Sequence, residues 1–260
     1  MPPVGNLSVN VCFLPRDLEP RDLAGRAVVV FDVLRATTSI TAALHAGVKS
    51  IRIFPTTTDA AEARSKYPGA LLCGEEHCLP PPGFDLGNSP GAFDRSLHAG
   101  RDLLMSTTNG TRALLAAAGA TRGYAGALVN ATAVAKCLAQ ENLAVTLLCA
   151  GTNGVIAMED ILGAGAVIHS LRILTAVRLE SDSALIADRV FAASRHDLPA
   201  ALRLVRGGLN LIEAGLEADI DFAARLDVIE TPPVAWASRP CQRDGTQEIA
   251  FVNSGDAPKI

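Results

Sequence analysis

The chain has 260 residues, 49% of them hydrophobic and 19% charged, which suits a folded protein with a sizeable core and excludes a disordered one. Aromatic residues make up only 4%, so Ala and Gly carry much of the apolar share and helices are expected to pack closely. The formal net charge of −4, with no long Lys/Arg run, excludes a broad nucleic-acid surface; an anionic partner would have to be held at a local site.

Short β-like runs alternate with helical patterns along the chain, as in a largely parallel sheet covered by helices. Residues 27–33 (AVVVFDV) read as a buried strand, and 36–46 as a helix ending at Gly47. Residues 51–54 follow as a strand and 59–67 as a helix stopped by Pro68-Gly69. A strand at 71–73 opens into a long Gly/Pro-rich loop, 74–90, and then come a strand at 102–105 and a helix at 111–118. Residues 143–149 read as a strand, 156 to about 178 as one helical stretch, and 182–218 as helical in two or three pieces. From Pro232 the chain is Pro-rich and then polar. The expected fold is α/β, three-layered, with a largely parallel or mixed sheet flanked by helices, in one lobe or in two of related topology. One domain over 1–235 and a mostly irregular tail over 236–260 are expected.

No apolar run approaches the roughly 20 residues of a membrane span, and Met1 to Asn10 lacks the pattern of a secretory signal. The six cysteines (Cys12, Cys73, Cys78, Cys137, Cys149, Cys241) form no CxxC pair, which argues against zinc. A cytoplasmic protein without a membrane or nucleic-acid partner is expected.

One motif recurs. Three times an apolar strand runs through a loop of Thr, Ser, Asn or Gly into an Ala-rich helix: VVVFDVLRATTSITAAL, DLLMSTTNGTRALLAAA and AVTLLCAGTNGVIAMEDIL. In a parallel sheet such loops share the carboxyl edge, where ligands bind. Their helix starts present free N–H groups that attract anions. Simple helix capping by Thr, Ser and Asn is the plainer account of any single loop.

Asp32 stands at the end of the most apolar strand, where a lone carboxylate needs a partner, water or a metal. Arg35 is either that partner or a bidentate ligand for phosphate. Thr37 and Thr38 add hydroxyls at the helix start. The loop GEEHCLPPPGFDLGNSP carries Glu75, Asp85, Asn88 and Ser89, whereas Glu76 and His77 read as surface residues. The run Ser106 to Thr111 supplies the hydroxyls of Thr107, Thr108 and Thr111 and the amide of Asn109, with Gly110 allowing close approach. It is not a Walker A loop, since no Gly-Lys-Ser/Thr follows. Glu159 and Asp160 lie near the start of a helix, where acids are favoured by the dipole in any case. Together these acids could serve a hard cation, which in the case of magnesium usually takes one or two carboxylates. Cys149 has no nearby His to make it a nucleophile. Leu34 occupies the place where a haloacid-dehalogenase phosphatase needs its second Asp, and Ile168 stands where a dinucleotide motif begun at Gly163-Ala-Gly165 needs its last Gly.

The segments FDVLRATTSI, GFDLGNSP, STTNGTRAL and CAGTNGVIAMEDILGAGA, with a looser match at DSALIA, resemble the 2-phosphosulfolactate phosphatase family of coenzyme M biosynthesis, in family order over about 26–190. The resemblance implies an α/β fold and magnesium-dependent hydrolysis of (R)-2-phospho-3-sulfolactate, a small anionic phosphate ester. Asp32, Arg35, Glu75, Asp85, Asn88, Ser89, Thr107, Thr108, Asn109, Glu159 and Asp160 fall on its motif positions. The expected assignment is Asp32, Arg35 and Glu159 for catalysis, and Asp32, Glu75 and Asp160 for magnesium. Arg35, Thr37, Thr38, Asn88, Ser89, Thr107, Thr108, Asn109 and Thr111 are expected to bind the phosphate. Self-association into a homo-oligomer is compatible with the sequence. Where the family usually has Arg after Gly-Glu, this chain has Glu76, which implies altered specificity or compensation by Arg101 or Arg112.

Overall fold

The structure, a computed structural model, describes residues 6–237 and 249–256. In chain order its elements are β1 (Leu7–Cys12), β2 (Arg26–Phe31), α1 (Ala36–His45), β3 (Ser50–Ile53), α2 (Thr57–Ala63), β4 (Leu71–Gly74), α3 (Arg95–His98) and β5 (Asp102–Ser106). Then come α4 (Gly110–Ala116), β6 (Arg122–Gly126), α5 (Ala131–Glu141), β7 (Ala144–Cys149), α6 (Met158–Leu174) and β8 (Val177–Leu179). The chain closes with α7 (Asp182–Ser194), α8 (Leu198–Leu204), α9 (Arg206–Glu213), α10 (Glu217–Ala223), β9 (Pro233–Ala237) and β10 (Ile249–Asn253).

All described strands form a single sheet in the order β4-β5-β3-β10-β9-β6-β2-β7-β1-β8. It is mixed. β4, β5 and β3 are parallel to one another, as are β6, β2, β7, β1 and β8. Between these halves the antiparallel pair β9–β10 is inserted, antiparallel also to β6 on one side and β3 on the other. The two parallel halves therefore run in opposite senses. The mostly irregular tail expected from 236 onward is thus corrected at residues 249–253, where a continuous apolar run gives a strand whose Ile249, Ala250 and Phe251 are buried in mid-sheet; residues 238–248 of that expected tail lie outside the described residues. Further elements escape the sequence pattern: β1, the short α3, β6, α5 and β9. The helix expected to reach about 178 stops at Leu174, because Val177–Leu179 pairs with β1 as an edge strand.

β2 shows how the sheet is covered on both faces. Ala27, Val29 and Phe31 join the core made with α5, α6 and α7. Val28 and Val30 point the other way, into a core shared with α1, α4, β3, β5 and β10. On that inner face the sheet curls, since α4 touches both β2 and β3, four strand steps apart. A twist of roughly 20–25° per strand pair, accumulated over those steps, swings the opposed halves toward a right angle. Their carboxyl ends can then meet. α1 lies in the fold of the sheet and is buried from Ala36 to Leu44.

Candidate active site

Asp32 follows β2, Glu75 follows β4, the Thr107–Thr108 turn follows β5, and Glu159 and Asp160 open α6 after β7. The expected single edge of a parallel sheet is replaced by the meeting of two such edges, and there the sequence-remote residues gather. A cleft of about 60 Å³ is lined by Asp32, Arg35, Glu75, Asn88 and Asn109. Leu34, Cys78, Thr152, Gly207, Asn210 and Leu211 complete it; Thr152 belongs to the third strand–loop–helix motif, whereas nothing in the motifs had marked Gly207, Asn210 and Leu211.

The carboxylates are fixed by backbone amides. Asp32 Oδ1 accepts from Ala36 N at 3.1 Å. Asp160 accepts from Val33 N at 2.8 Å and from Gly151 N at 2.9 Å, which ties the ends of β2 and β7 together. Glu75 accepts from Thr108 N at 2.8 Å and Cys78 N at 3.1 Å, joining the ends of β4 and β5. The free helix-start amides expected to attract phosphate are thus largely spent on carboxylates. Glu159 differs, since its Oε2 is buried with no hydrogen-bond partner. Its Oε1 lies against α9 so closely that a Cβ on Gly207 would stand 2.2 Å away.

These acids feel one another. Burial pushes the Asp32 carboxyl up to about 7; the Ala36 amide opposes this, the charges of Glu75 and Glu159 reinforce it, and Arg35 opposes it. Burial also raises Asp160 well above the usual carboxylate range, with Asp32 and Glu159 adding to the effect. Glu159 is raised too, chiefly by burial. Against this charge stands Arg35, which is already paired. Its Nη1 donates to Asp219 at 2.7 Å and Ser89 Oγ at 3.2 Å, and its Nη2 donates to the Cys78 carbonyl at 2.6 Å. Ser89 Oγ in turn donates to Asp219 at 2.8 Å. Asp219, buried on α10, is the partner that sequence reading missed; it is one acid among several in EADIDFA, with nothing local to mark it.

The hydroxyls hold the frame rather than face the cleft. Thr37 Oγ1 donates to the Asp32 carbonyl and accepts from its amide, both at 3.0 Å. Thr38 Oγ1 donates to the Val33 carbonyl at 2.8 Å. Thr107 and Thr111 cap each other's amides across the start of α4 at 2.9 and 3.2 Å. The phosphate-binding role expected of these four side chains is therefore corrected: buried hydroxyls bond to nearby backbone at strand ends and helix starts. Asn88 and Asn109 do face the cleft; Asn88 Oδ1 is buried and unpartnered, and Asn109 Oδ1 accepts from Asn153 N at 2.9 Å. Thr108 contributes its amide to Glu75.

Among the described residues, no three His, Cys, Asp or Glu side chains are gathered closely enough to hold a metal ion. The trio Asp32, Glu75 and Asp160 expected around magnesium forms no such cage, because Glu75 and Asp160 are turned to backbone amides. Asp85 bonds to Leu72 N at 2.8 Å and to Arg64, away from the cleft. Glu76 is exposed and accepts from Thr57 Oγ1 at 2.7 Å, so it does not face a ligand there. Arg101 donates to the Gly69 carbonyl and Arg112 is exposed on α4, and neither lines the cleft. Cys149 is fully buried, which raises its thiol far above the reactive range. No described helix is long and apolar enough to cross a membrane.

A family model described as 2-phosphosulpholactate phosphatase matches residues 12–236. Several relatives carry the name probable 2-phosphosulfolactate phosphatase. That of Carboxydothermus hydrogenoformans is 38% identical over 229 residues, covering 87% of this chain and 92% of the relative. That of Parasynechococcus marenigrum is 40% identical over 220 residues, covering 82% and 90%. A Deinococcus radiodurans relative is 38% identical over 219 residues, covering 84% and 90%. Nearly every strand and helix that builds the cleft lies within the matched span, and the chain belongs to the 2-phosphosulfolactate phosphatase family.

Proposed function

We propose that the chain hydrolyses the phosphate monoester of a small 2-hydroxy acid, (R)-2-phospho-3-sulfolactate, to 3-sulfolactate and phosphate, with magnesium as its cofactor. The substrate is the one named by its family and relatives. The observation that carries the cation requirement is the charge of the cleft. Asp32 and Glu75 line it, Glu159 and Asp160 lie close enough to act on Asp32 electrostatically, and the one arginine in its wall, Arg35, is neutralised by Asp219. A phosphate dianion enters such a site only with a compensating cation.

The donors fit magnesium. They are hard oxygens, and the buried unpartnered Oε2 of Glu159 is a ligand atom without a present role. Asp32 and Glu159 would hold the ion, within the one or two carboxylates that magnesium usually takes. When bound it supplies the positive charge that offsets the charge of the transferring phosphoryl group.

The chain's own groups supply the rest. Arg35 is held rigid by Asp219, Ser89 and the Cys78 carbonyl, and makes no bond through Nε with the described residues, which leaves that donor for a phosphate oxygen. Asn88 and Asn109 orient the ester from the cleft wall. Asp32 stands in the cleft wall where, as a ligand of the ion, it would also position the attacking water against the phosphoryl group.

The test is phosphate release from phosphosulfolactate and phospholactate, with magnesium and with chelator. The wild-type protein is expected to turn over only with magnesium, and Asp32→Asn to lose at least about a hundredfold in kcat. Near-normal turnover by the variant would remove Asp32 from the chemistry. Magnesium-independent turnover would remove the metal.

A further inference from the structure

The reaction cleft is small for its substrate. About 60 Å³ holds roughly four to six water-sized groups, enough for a phosphoryl group. It does not also hold the three-carbon skeleton, carboxylate and sulfonate of a sulfo-substituted 2-hydroxy acid. The non-reacting end must extend beyond it.

A second chamber of about 380 Å³ adjoins the cleft: Thr152 lines both, and Glu159, a wall of the chamber, packs against Gly207 of the cleft. Its walls are largely apolar, with Val155, Met158 and Leu204 among them. It contains one basic side chain, Arg206, the first residue of α9. Arg206 makes no hydrogen bond or ion pair with the described residues, unlike Arg35. Its position is also coupled to the chemistry. The next residue, Gly207, donates its backbone N–H to Glu159 and packs against that carboxylate.

Resting on the function proposed above, we infer that Arg206 is a specificity-determining residue that receives the substrate's remote sulfonate in this chamber. The acids of the cleft repel a second anion, so the ester is drawn into one orientation: phosphate toward Arg35 and Asp32, sulfonate toward Arg206. A guanidinium meets the tetrahedral oxyanion with two parallel donors, and Arg206, exposed at the chamber wall, has both free to offer. Neither Glu76 nor the arginines 101 and 112 takes part, as none lines either cavity.

The experiment compares wild type, Arg206→Gln and Arg206→Lys on phosphosulfolactate and on phospholactate, which lacks the sulfonate. Arg206→Gln is expected to raise KM for phosphosulfolactate by about tenfold or more, with kcat within about threefold and KM for phospholactate within about twofold of wild type. Arg206→Lys should recover part of the loss, since charge returns without the fork. Equal losses on both esters, or none on either, overturn the assignment; equal losses point to disturbance of Glu159 through Gly207. Calorimetry of 3-sulfolactate and inorganic phosphate separates this from the reaction itself. Even if the wild-type protein hydrolyses neither ester, it should bind 3-sulfolactate about tenfold or more tightly than Arg206→Gln does, with phosphate binding alike. Identical 3-sulfolactate binding, or none by wild type, overturns the subsite.

Discussion

At the scale of residues, Asp32 sets function against stability. Its carboxyl moves from 3.8 to about 7 on folding, mainly through burial. Between those values the unfolded chain has lost the proton while the folded chain keeps it. Stability is therefore full below about pH 4 for this group and falls as pH rises through 7, in metal-free buffer. Asp32→Asn removes the group, so urea unfolding should find the variant more stable than wild type at pH 8, by on the order of a few kcal/mol, and the gap should shrink toward pH 5. A gap that is constant with pH would contradict the assigned titration. The same side chain was legible in the sequence because an acid in VVVFDV has no apolar explanation. Thr37, Thr38, Thr107 and Thr111 were equally conspicuous but serve the backbone, since a hydroxyl's partner depends on geometry that composition does not record. Asp219 and Gly207 were invisible for the opposite reason: each acts through a residue more than forty positions away in the chain.

At the scale of elements, the site exists because α1 and α4 start side by side. A Cβ on Gly110 would lie 2.5 Å from the Ala36 Cβ and 2.8 Å from Asp32 Oδ2. Gly110→Ala must push the two helix starts apart, and both neighbours are buried and unable to move aside. A loss of about 1–3 kcal/mol in stability is expected, with a fall of about tenfold to a hundredfold in kcat as Asp32 shifts. Wild-type kcat in a folded Gly110→Ala protein would show that the close approach is not needed. The strand–loop–helix repeat, read from sequence, identified these two helices correctly because a buried strand and an Ala-rich helix differ in period. β1, β6 and α5 were missed: LSVNVC and RGYAG are short, and the Ala-rich ATAVAKCLAQE has few large apolar residues to mark a helical face. The three strands of the repeats, β2, β5 and β7, were legible, but the opposed sense of β5 was not, because pairing direction is set by distant strands.

At the scale of the molecule, the two halves are joined through β9 and β10. Phe251 on β10 is about 1% exposed and belongs to the core around α1 and α4. Phe251→Ala is expected to cost about 3–5 kcal/mol and to lower Tm markedly, as for a central residue. A change below about 0.5 kcal/mol, read by calorimetric melting, would mean that this segment is peripheral. The sequence hid the strand because IAFVN is brief and sits among Pro-rich and polar residues.

The position of β10 also governs the order of assembly. Ile249 pairs with Ile53, so a strand near the carboxyl end of the chain bridges partners laid down early in synthesis. Until it leaves the ribosome, β3 has no neighbour on that side and offers a bare row of amides and carbonyls to any passing chain. Until β9 and β10 are made, no strand joins the two half-sheets.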